Sequence, residues 1–413
     1  MAQLNITLNQ EEILQLLAND RDAAFAKLLQ DSLNSLLKVE SAAQLKAEPY
    51  ERTEERTGSR NGFRERPLTT RIGSITLDVP KHRGGEAFHT MIFDNYGRSE
   101  AALIVTMAEM VVNGVSTRKV SQVMETLCGK TYSKSTVSAA CRQLDETVRE
   151  FRERPLAGEY PFLTVDATYF KVRENGRIIS KAFMIAYATS NEGHREIIGF
   201  GIYENESRRT WNEFLKSLKD RGLLGVKMIT SDAHEGIRDA ICKVFPEAAW
   251  QRCQFHFTRN IVGKAANKYQ AGLSGELHEM FNCKTLEEAR KRKNDIIADY
   301  KDVAEEAMNC LDEGFESAMS VMVLPHYLRK FFRTSNQIER LNKELKRRSK
   351  VIGIFPNETS LMRLMGSVLV ERSAEITSGK CIFTNKTYQE LLTTDVSDKL
   401  KKIAAEQRCL LAA

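Results

Sequence analysis

An α/β fold class is predicted by the sequence, and three observations support it. First, three apolar runs alternate in the manner of β-strands and are separated by Gly-containing turn signals, namely runs 161–172, 180–189 and 196–204. Second, these runs are followed by a helical segment, a short apolar strand and another helical segment, at 207–223, 226–232 and 234–245. Third, helical spacing of apolar residues dominates the chain on both sides of this region.

The order of these elements narrows the fold. Three hairpin-connected strands followed by helix, strand and helix is the order of a ribonuclease H-like core. Residues 261–330 show interleaved charged and apolar positions with little β signal, which predicts an all-helical insertion. The core is therefore expected to resume in a helix after residue 331.

Composition restricts the class of protein. Hydrophobic residues make up 42% and charged residues 28% of the 413 positions, which excludes a mainly disordered chain. We find no basic, apolar leader and no run of about 18 apolar residues, so we expect a cytoplasmic, nucleoid-associated protein without membrane contact. Eight cysteines without CxxC pairs indicate reduced thiols. The net charge of +6 is modest, so any argument for nucleic-acid binding depends on where the charge lies.

The N-terminal region is predicted to contain helices and one short strand. Leucine, isoleucine and phenylalanine recur at helical spacing between residues 10 and 45, at Ile13, Leu16, Leu17, Phe25, Leu28, Leu29, Leu33, Leu36 and Leu37. The following segment is rich in Gly and Arg, and 74–79 alternates like a strand. Its arginines form either a solvated face or a loop that follows DNA phosphates.

Residues 100–151 are predicted to form two helices with a break at 128–130, the size and spacing of a helix-turn-helix. Ser133 or Ser135 would cap the second helix. Lys134, Ser135 and Thr136 would then lie at its N-terminal end, where a recognition helix contacts the major groove. A plain helical hairpin is the alternative.

Two aspartates occupy unusual positions in the predicted strands. Asp166 interrupts the first apolar run, and a buried carboxylate is costly unless it is paired or bound to metal. Asp232 ends the fourth strand, a position that also suits a helix N-cap.

Glu339 lies in a predicted helix with a basic surface. Ile338, Leu341 and Leu345 form the buried stripe, and Glu339, Asn342 and Lys346 flank it. Arg340, Lys343 and Arg347 fall on the far side. The segment 327–350 carries nine basic residues and two acidic ones, a charge suited to the phosphate backbone. Three carboxylates at one sheet edge are what two-metal phosphoryl chemistry needs, with Mg²⁺ ions about 3.5–4 Å apart.

Six stretches together resemble the Mutator-type bacterial insertion-sequence transposases, which are DDE enzymes, over about residues 50–356. These are YERTEERTGSRNGFRERPLTTRIG, GVSTRKVSQVMETL, YPFLTVDATYFKVRENGR, TSDAHEGI, AAWQRCQFHFTRN and SNQIERLNKELKRRSKVIGIFPN. The resemblance implies that Asp166, Asp232 and Glu339 are catalytic and bind two Mg²⁺ or Mn²⁺ ions. It also implies double-stranded DNA partners, the terminal inverted repeats and the target, and synapsis of two ends favours a homodimer.

Further site residues follow from the same resemblance. The family's basic residue seven positions after the glutamate falls on Lys346, and Arg347 and Arg348 would assist it in holding the backbone. The family's Cys-x-x-His pair falls on Cys253 and His256. Structural zinc needs four ligands and no second pair is visible, so packing and hydrogen bonding beside the site are expected of this pair. Trp250 belongs either to the core or to a base-stacking platform.

The expected regions are N-terminal helices (1–50), a basic Gly/Arg-rich β region (51–95), a helix-turn-helix-like region (96–155), the core (156–260 and 331–375), the insertion (261–330) and a helical tail (376–413). Two other functions share these features. A non-catalytic DNA-binding regulator would keep the basic surfaces, and a ribonuclease H-like nuclease would cleave DNA without joining it.

Overall fold

A computed structural model describes residues 21–51, 53, 55–70, 73–90, 101–128, 132–393 and 395–412. The chain divides into two units, Met1–Gln143 and Leu144–Ala413. Within the described residues, no helix combines the length and the apolar character that a membrane span requires.

The first described part of the first unit is a helix packed on a β-hairpin. Helix α1 (Arg21–Leu45) packs on the antiparallel strands β1 (Ser59–Thr70) and β2 (Gly73–Arg83). The predicted strand is confirmed within β2, because its alternate residues Ile75, Leu77 and Val79 turn inward against α1. The predicted helix is confirmed from residue 21 onward, and its earlier positions, Ile13, Leu16 and Leu17, lie outside the described residues.

The same unit continues with three helices, α2 (Ala101–Val112), α3 (Thr117–Cys128) and α4 (Lys134–Cys141), which share an apolar core. Ser133 is the N-cap of α4, and its Oγ accepts a hydrogen bond from the backbone N–H of Thr136 at 3.1 Å. Lys134, Ser135 and Thr136 are exposed. The last two residues of the predicted break lie outside the described part, and the helix-turn-helix stays a prediction.

The second predicted helix of this region, which continues to Phe151, is in fact two helices. The chain turns at Arg142 and Gln143, and α5 (Leu144–Glu153) then belongs to the second unit, where it packs on a later helix. Apolar residues keep helical spacing across the turn, from Val137 through Leu144 to Val148, so no local signal marks this break.

The second unit is built on a mixed sheet of five strands in the order β5-β4-β3-β6-β7. The bounds are β3 (Phe162–Glu174), β4 (Arg177–Thr189), β5 (Arg195–Tyr203), β6 (Met228–Ser231) and β7 (Ala249–Arg252). Strands β3, β4 and β5 form the predicted antiparallel meander, whereas β6 runs parallel to β3 and β7 parallel to β6. Strand β3 is thus the central strand.

The fifth strand was not predicted from the sequence. Strand β7 has only four residues, and its pairing partner β6 lies about 20 residues earlier in the chain. Such a short run carries no periodicity of its own, and its strand geometry comes from backbone pairing with β6.

Helices cover both faces of the sheet. The predicted helices α6 (Arg208–Asp220) and α7 (Glu235–Val244) are confirmed, and they bury Trp211, Phe214 and Ile237 against Leu163 and Val165 of β3. The helices that follow β7 are α8 (Gln254–Gly263), α9 (Asn267–Phe281), α10 (Leu286–Tyr300), α11 (Glu305–Ala318), α12 (His326–Phe332), α13 (Asn336–Ser349), α14 (Glu358–Thr377), α15 (Asn385–Thr393) and α16 (Val396–Ala412). Of these, α13 and α14 pack on the other face of the sheet.

The helical segment between β7 and α12 has a core of its own. Helices α8 to α11 pack together around residues such as Phe257, Leu277, Leu311 and Phe315. The prediction that 261–330 is helical is confirmed, and the segment returns the chain to the sheet at α12.

Candidate functional site

Asp166 is the fifth residue of the central strand, β3. Because neighbouring residues of β3 alternate in direction, Leu163 and Val165 enter the core below α6 and α7 while Asp166 faces the opposite side. There, Asn342 of α13 donates a hydrogen bond from Nδ2 to Asp166 Oδ2 at 2.9 Å. The contact fixes α13 against the strand across 176 positions of sequence.

Asp232 lies at the end of the adjacent strand β6. Its Oδ1 accepts a hydrogen bond from the backbone N–H of His234 at 3.2 Å, and His234 is the N-cap of α7. The alternative that Asp232 itself caps the helix is therefore wrong. Burial and the negative charge of Asp232 hold the pKa of Asp166 well above its usual range. The two carboxylates are close enough to repel one another.

Glu339 lies in the first turn of α13, beside the same face of the sheet. Ile338 and Leu345 are fully buried and Leu341 nearly so, which confirms the predicted buried stripe. Ser335 Oγ lies 3.2 Å from Glu339 Oε1 as a hydrogen-bond donor, and His256 Nε2 lies 3.8 Å from the same oxygen. Helix α13 therefore brings Glu339 and the Asp166-binding Asn342 to one side.

Cys253 and His256 also lie beside Glu339. Cys253 precedes α8, and its Sγ accepts hydrogen bonds from Ser335 N at 3.3 Å and Ser335 Oγ at 3.2 Å. Burial acts to raise the pKa of the Cys253 thiol, but the adjacent imidazole of His256 and the hydrogen bonds from Ser335 outweigh it and lower the pKa. The interaction with Cys253, aided by the negative charges of Asp166 and Glu339, raises the pKa of His256 despite burial.

Glu206 is a fourth carboxylate at the site, and sequence reasoning missed it. It lies between β5 and the N-cap of α6, and burial followed by the charge of Asp232 raises its pKa. Its charge acts on Asp166 as well, and its side chain is hydrogen-bonded to Tyr169 of β3. No local signal distinguishes Glu206 from Glu204, which turns away to an ion pair with Lys181.

The predicted DNA-binding residues of α13 divide by exposure. Arg340, Lys343, Lys346 and Arg347 are exposed. Arg348 is only 5% exposed and donates from Nε to Glu344 Oε1 at 2.8 Å, because it lies one turn beyond Leu345 on the buried stripe. The expectation that Arg348 reaches a DNA backbone is thus not supported by its position. Lys134, Ser135 and Thr136 lie in the first unit.

Trp250 belongs to the core. It is 4% exposed, its Nε1 donates a hydrogen bond to Ser231 Oγ at 2.9 Å, and the guanidinium of Arg238 lies 4.9 Å from the ring centre. A buried ring cannot offer a face to an unpaired base, so the core alternative is the correct one.

The oxygens of this site suit a hard divalent cation. Asp166 and Asp232 repel one another, and a cation between them would remove that repulsion. Asn342 Oδ1 is buried and has no hydrogen-bond partner among the described residues, so one further oxygen lacks a donor or cation. Carboxylate and amide oxygens are preferred ligands of Mg²⁺ and Mn²⁺, and the donor set therefore fits these ions.

Comparison with known proteins gives a consistent result. The family model described as "Transposase, Mutator family" matches residues 1–379. The chain is 42% identical over 375 residues to the transposase for insertion sequence element IS256 in transposon Tn4001 of Staphylococcus aureus, covering 90% of this chain and 96% of that one. It is 39% identical to the transposase for insertion sequence element ISRM5 of Rhizobium meliloti, covering 84% and 86%, respectively. On these matches, the chain belongs to the Mutator family of transposases.

Proposed function

We propose that this chain moves an insertion sequence, by binding the element's terminal inverted repeats and catalysing metal-dependent strand cleavage and strand transfer. The observation that carries the proposal is the convergence of acidic groups around Asp166 on the central strand of the sheet. Asp166 interacts with Asp232 on the neighbouring strand and with Asn342 on the helix that holds Glu339. Such a group of carboxylates, in a member of a transposase family, is suited to phosphodiester chemistry.

The fold is compatible with this chemistry. An antiparallel meander continued by two parallel strands, with helices on both faces, is the arrangement expected of a ribonuclease H-like core. The helices α8 to α11, inserted between β7 and the segment leading to α13, match the expected all-helical insertion. The aspartates lie on adjacent strands while the glutamate comes from a later helix.

The residues of the site have distinct roles in the proposed reaction. Asp166, Asp232 and Glu339 would hold two Mg²⁺ or Mn²⁺ ions, and the bound ions would supply positive charge to the attacking and leaving oxygens of a phosphodiester. Asn342 fixes the orientation of Asp166, and Ser335 that of Glu339. Cleavage frees a 3′-hydroxyl, and attack by that hydroxyl on a target phosphodiester completes strand transfer.

DNA would be held by surfaces on both units. Exposed Lys346 and Arg347 would hold the backbone beside the carboxylates, and Lys134, Ser135 and Thr136 would contact the major groove of the inverted repeats. Two element ends require two active sites, so we propose that a homodimer is the working form.

The reconstituted reaction tests the proposal. The genomic DNA flanking the gene supplies the candidate inverted repeats, and the full chain is incubated with such an end, a target plasmid and Mg²⁺. We expect joined DNA with the element's 3′ end linked to the target. Cleavage without joining would indicate a nuclease, and binding without cleavage would indicate a regulator.

Replacing Glu206 tests its part in the site. We expect Glu206→Gln to slow cleavage about 10–100-fold, the usual effect of losing a polar group that supports metal ligands. Single-turnover cleavage rates over a range of Mg²⁺ concentrations provide the measurement. The matched control is Glu213→Gln, an exposed glutamate of α6 that should leave the rate unchanged. A Glu206→Gln rate within twofold of the unmodified chain would argue against this role.

Replacing basic residues of α13 tests the DNA surface. We expect Lys346→Ala to reduce the slope of log K against log salt by about 1, as loss of one phosphate contact does. Binding to labelled end DNA at several salt concentrations measures this slope. Arg348→Met should leave the slope unchanged, because the Arg348 guanidinium is buried against Glu344. Equal slopes for Lys346→Ala and the unmodified chain would contradict the assignment.

A further inference from the structure

A thiol, an imidazole and a carboxylate lie close together where the first turns of α8 and α13 are adjacent. One ligand atom each from Cys253, His256 and Glu339 lies within 4.8 Å of the other two. Cys253 is fully buried, and the side chains of His256 and Glu339 are 26% and 17% exposed. Neither Asp166 nor Asp232 belongs to this trio, so it is a separate cluster sharing only Glu339 with the predicted carboxylates.

The local hydrogen bonds leave these three groups incompletely satisfied. Ser335 Oγ lies 3.2 Å from both Cys253 Sγ and Glu339 Oε1, and its single proton can serve only one of them. His256 Nδ1 is buried and has no hydrogen-bond partner among the described residues. A cation bound by Cys253 Sγ, Glu339 Oε1 and one ring nitrogen of His256 would end the competition of the first two for the Ser335 proton.

The geometry and chemistry suit a borderline-soft ion. Zinc is held by thiolate, imidazole and carboxylate, and nitrogen and oxygen ligands at about 2.0–2.1 Å in a tetrahedral site lie about 3.4 Å apart. His256 Nε2 and Glu339 Oε1 are 3.8 Å apart, so a small side-chain movement would close the site. The backbone N–H of Ser335 already donates to Cys253 Sγ, the kind of hydrogen bond that supports a ligating thiolate.

A second group of three possible metal ligands among the described residues consists of glutamates alone. Glu174, Glu204 and Glu358 also lie within 4.8 Å of one another, but the ammonium of Lys181 bonds to all three. The chain therefore already supplies a cation to these glutamates, and their side chains are 41–68% exposed to water, so this trio does not indicate a metal site.

We propose that Cys253, His256 and Glu339 form a binding site for Zn²⁺ or a similar ion, with three protein ligands and an open fourth position. A structural zinc site has four protein ligands, and the sequence offers no second Cys or His pair to complete one. A site with three protein ligands and one open position does not need that second pair. A Zn²⁺ ion bound here would compete for Glu339 with the Mg²⁺ ions expected at Asp166 and Asp232. We therefore expect Zn²⁺ to inhibit Mg²⁺-dependent cleavage, an expectation that rests on the proposed function.

Cobalt spectroscopy tests the site without DNA, so its result is independent of transposase activity. Titration of the reduced full chain with Co²⁺ should give a thiolate-to-cobalt band in the near ultraviolet, saturating at one equivalent and abolished by Zn²⁺. Cys253→Ser should remove the band, whereas Cys381→Ser and Cys409→Ser, which alter exposed cysteines, should retain it. Glu339→Gln should weaken Co²⁺ binding at least about tenfold.

The outcomes are distinguishable. A band that is missing from the unmodified chain, or that survives in Cys253→Ser, would overturn the proposal. Circular dichroism checks that Cys253→Ser is folded, and if it is not, His256→Ala becomes the deciding variant. Retention of full Co²⁺ affinity by a folded His256→Ala would also overturn it.

Discussion

Asp166→Asn is expected to reduce strand cleavage and strand transfer by about 10³-fold or more, which corresponds to about 4 kcal/mol of transition-state stabilisation. Asparagine has the shape of aspartate, but it lacks the negative charge that a divalent cation requires. Cleavage and joining of labelled end DNA measure the loss. End-DNA binding should be unchanged, because Asp166 faces the carboxylates rather than the exposed basic residues of α13.

The same variant should fold at least as well as the unmodified chain. Burial and the charge of Asp232 raise the pKa of Asp166, which means that its ionised form is unfavourable in the folded protein without metal. Neutral asparagine removes this repulsion, so thermal unfolding in the presence of a chelator should occur at an equal or higher temperature. Asp220→Asn, an exposed carboxylate at the end of α6, is the matched control for activity. Activity of Asp166→Asn within tenfold of the control would disprove the catalytic assignment.

Lys181→Ala is expected to lower the free energy of unfolding of the second unit by about 3 kcal/mol. The Lys181 side chain is 1% exposed, and its Nζ pairs with Glu174 at 2.9 Å, with Glu358 at 2.8 Å and with Glu204. Glu174 is the last residue of β3, Glu204 directly follows β5, and Glu358 is the first residue of α14. One ammonium group therefore connects three secondary-structure elements. Burial acts to lower the pKa of Lys181, but its hydrogen bonds to the three glutamates raise it above its usual value.

Truncation would leave a cavity lined by three like charges. The glutamate side chains are 41–68% exposed and can turn towards water, so the cavity contributes most of the expected loss. Lys181→Met, which keeps the apolar stem, should therefore cost about half as much as Lys181→Ala. Urea unfolding monitored by tryptophan fluorescence measures both, with Lys216→Ala as an exposed control. Equal stabilities of Lys181→Ala and the control would contradict this account.

The sequence predicted most of the second unit because its elements have strong local patterns. The meander of β3 to β5 alternates clearly, and α6, α7 and α13 carry apolar stripes at helical spacing. Elements defined by pairing alone were missed. Strand β7 forms through hydrogen bonds to β6, and the turn at Arg142 separates two units without interrupting the apolar spacing.

The candidate site shows the same division. Asp166 and Glu339 were conspicuous in the sequence, because one interrupts an apolar strand and the other flanks a buried helical stripe. Glu206 carried no such signal, since its partners Tyr169 and Asp232 are 37 and 26 positions away and only the fold brings them together. Arg348 differs from Glu206, because helical spacing places it one turn beyond Leu345 on the predicted buried stripe, and the density of basic residues around it obscured that signal.

By itself, the sequence determined the α/β class, the order of the elements and the resemblance to the Mutator transposases, because periodicity and motifs are properties of neighbouring residues. Only the tertiary structure decided which polar groups share an environment. It brought Asn342 to Asp166, Ser335 to Cys253, and Lys181 to three glutamates. Distances across a fold depend on the packing of whole helices and strands, and no local pattern encodes them.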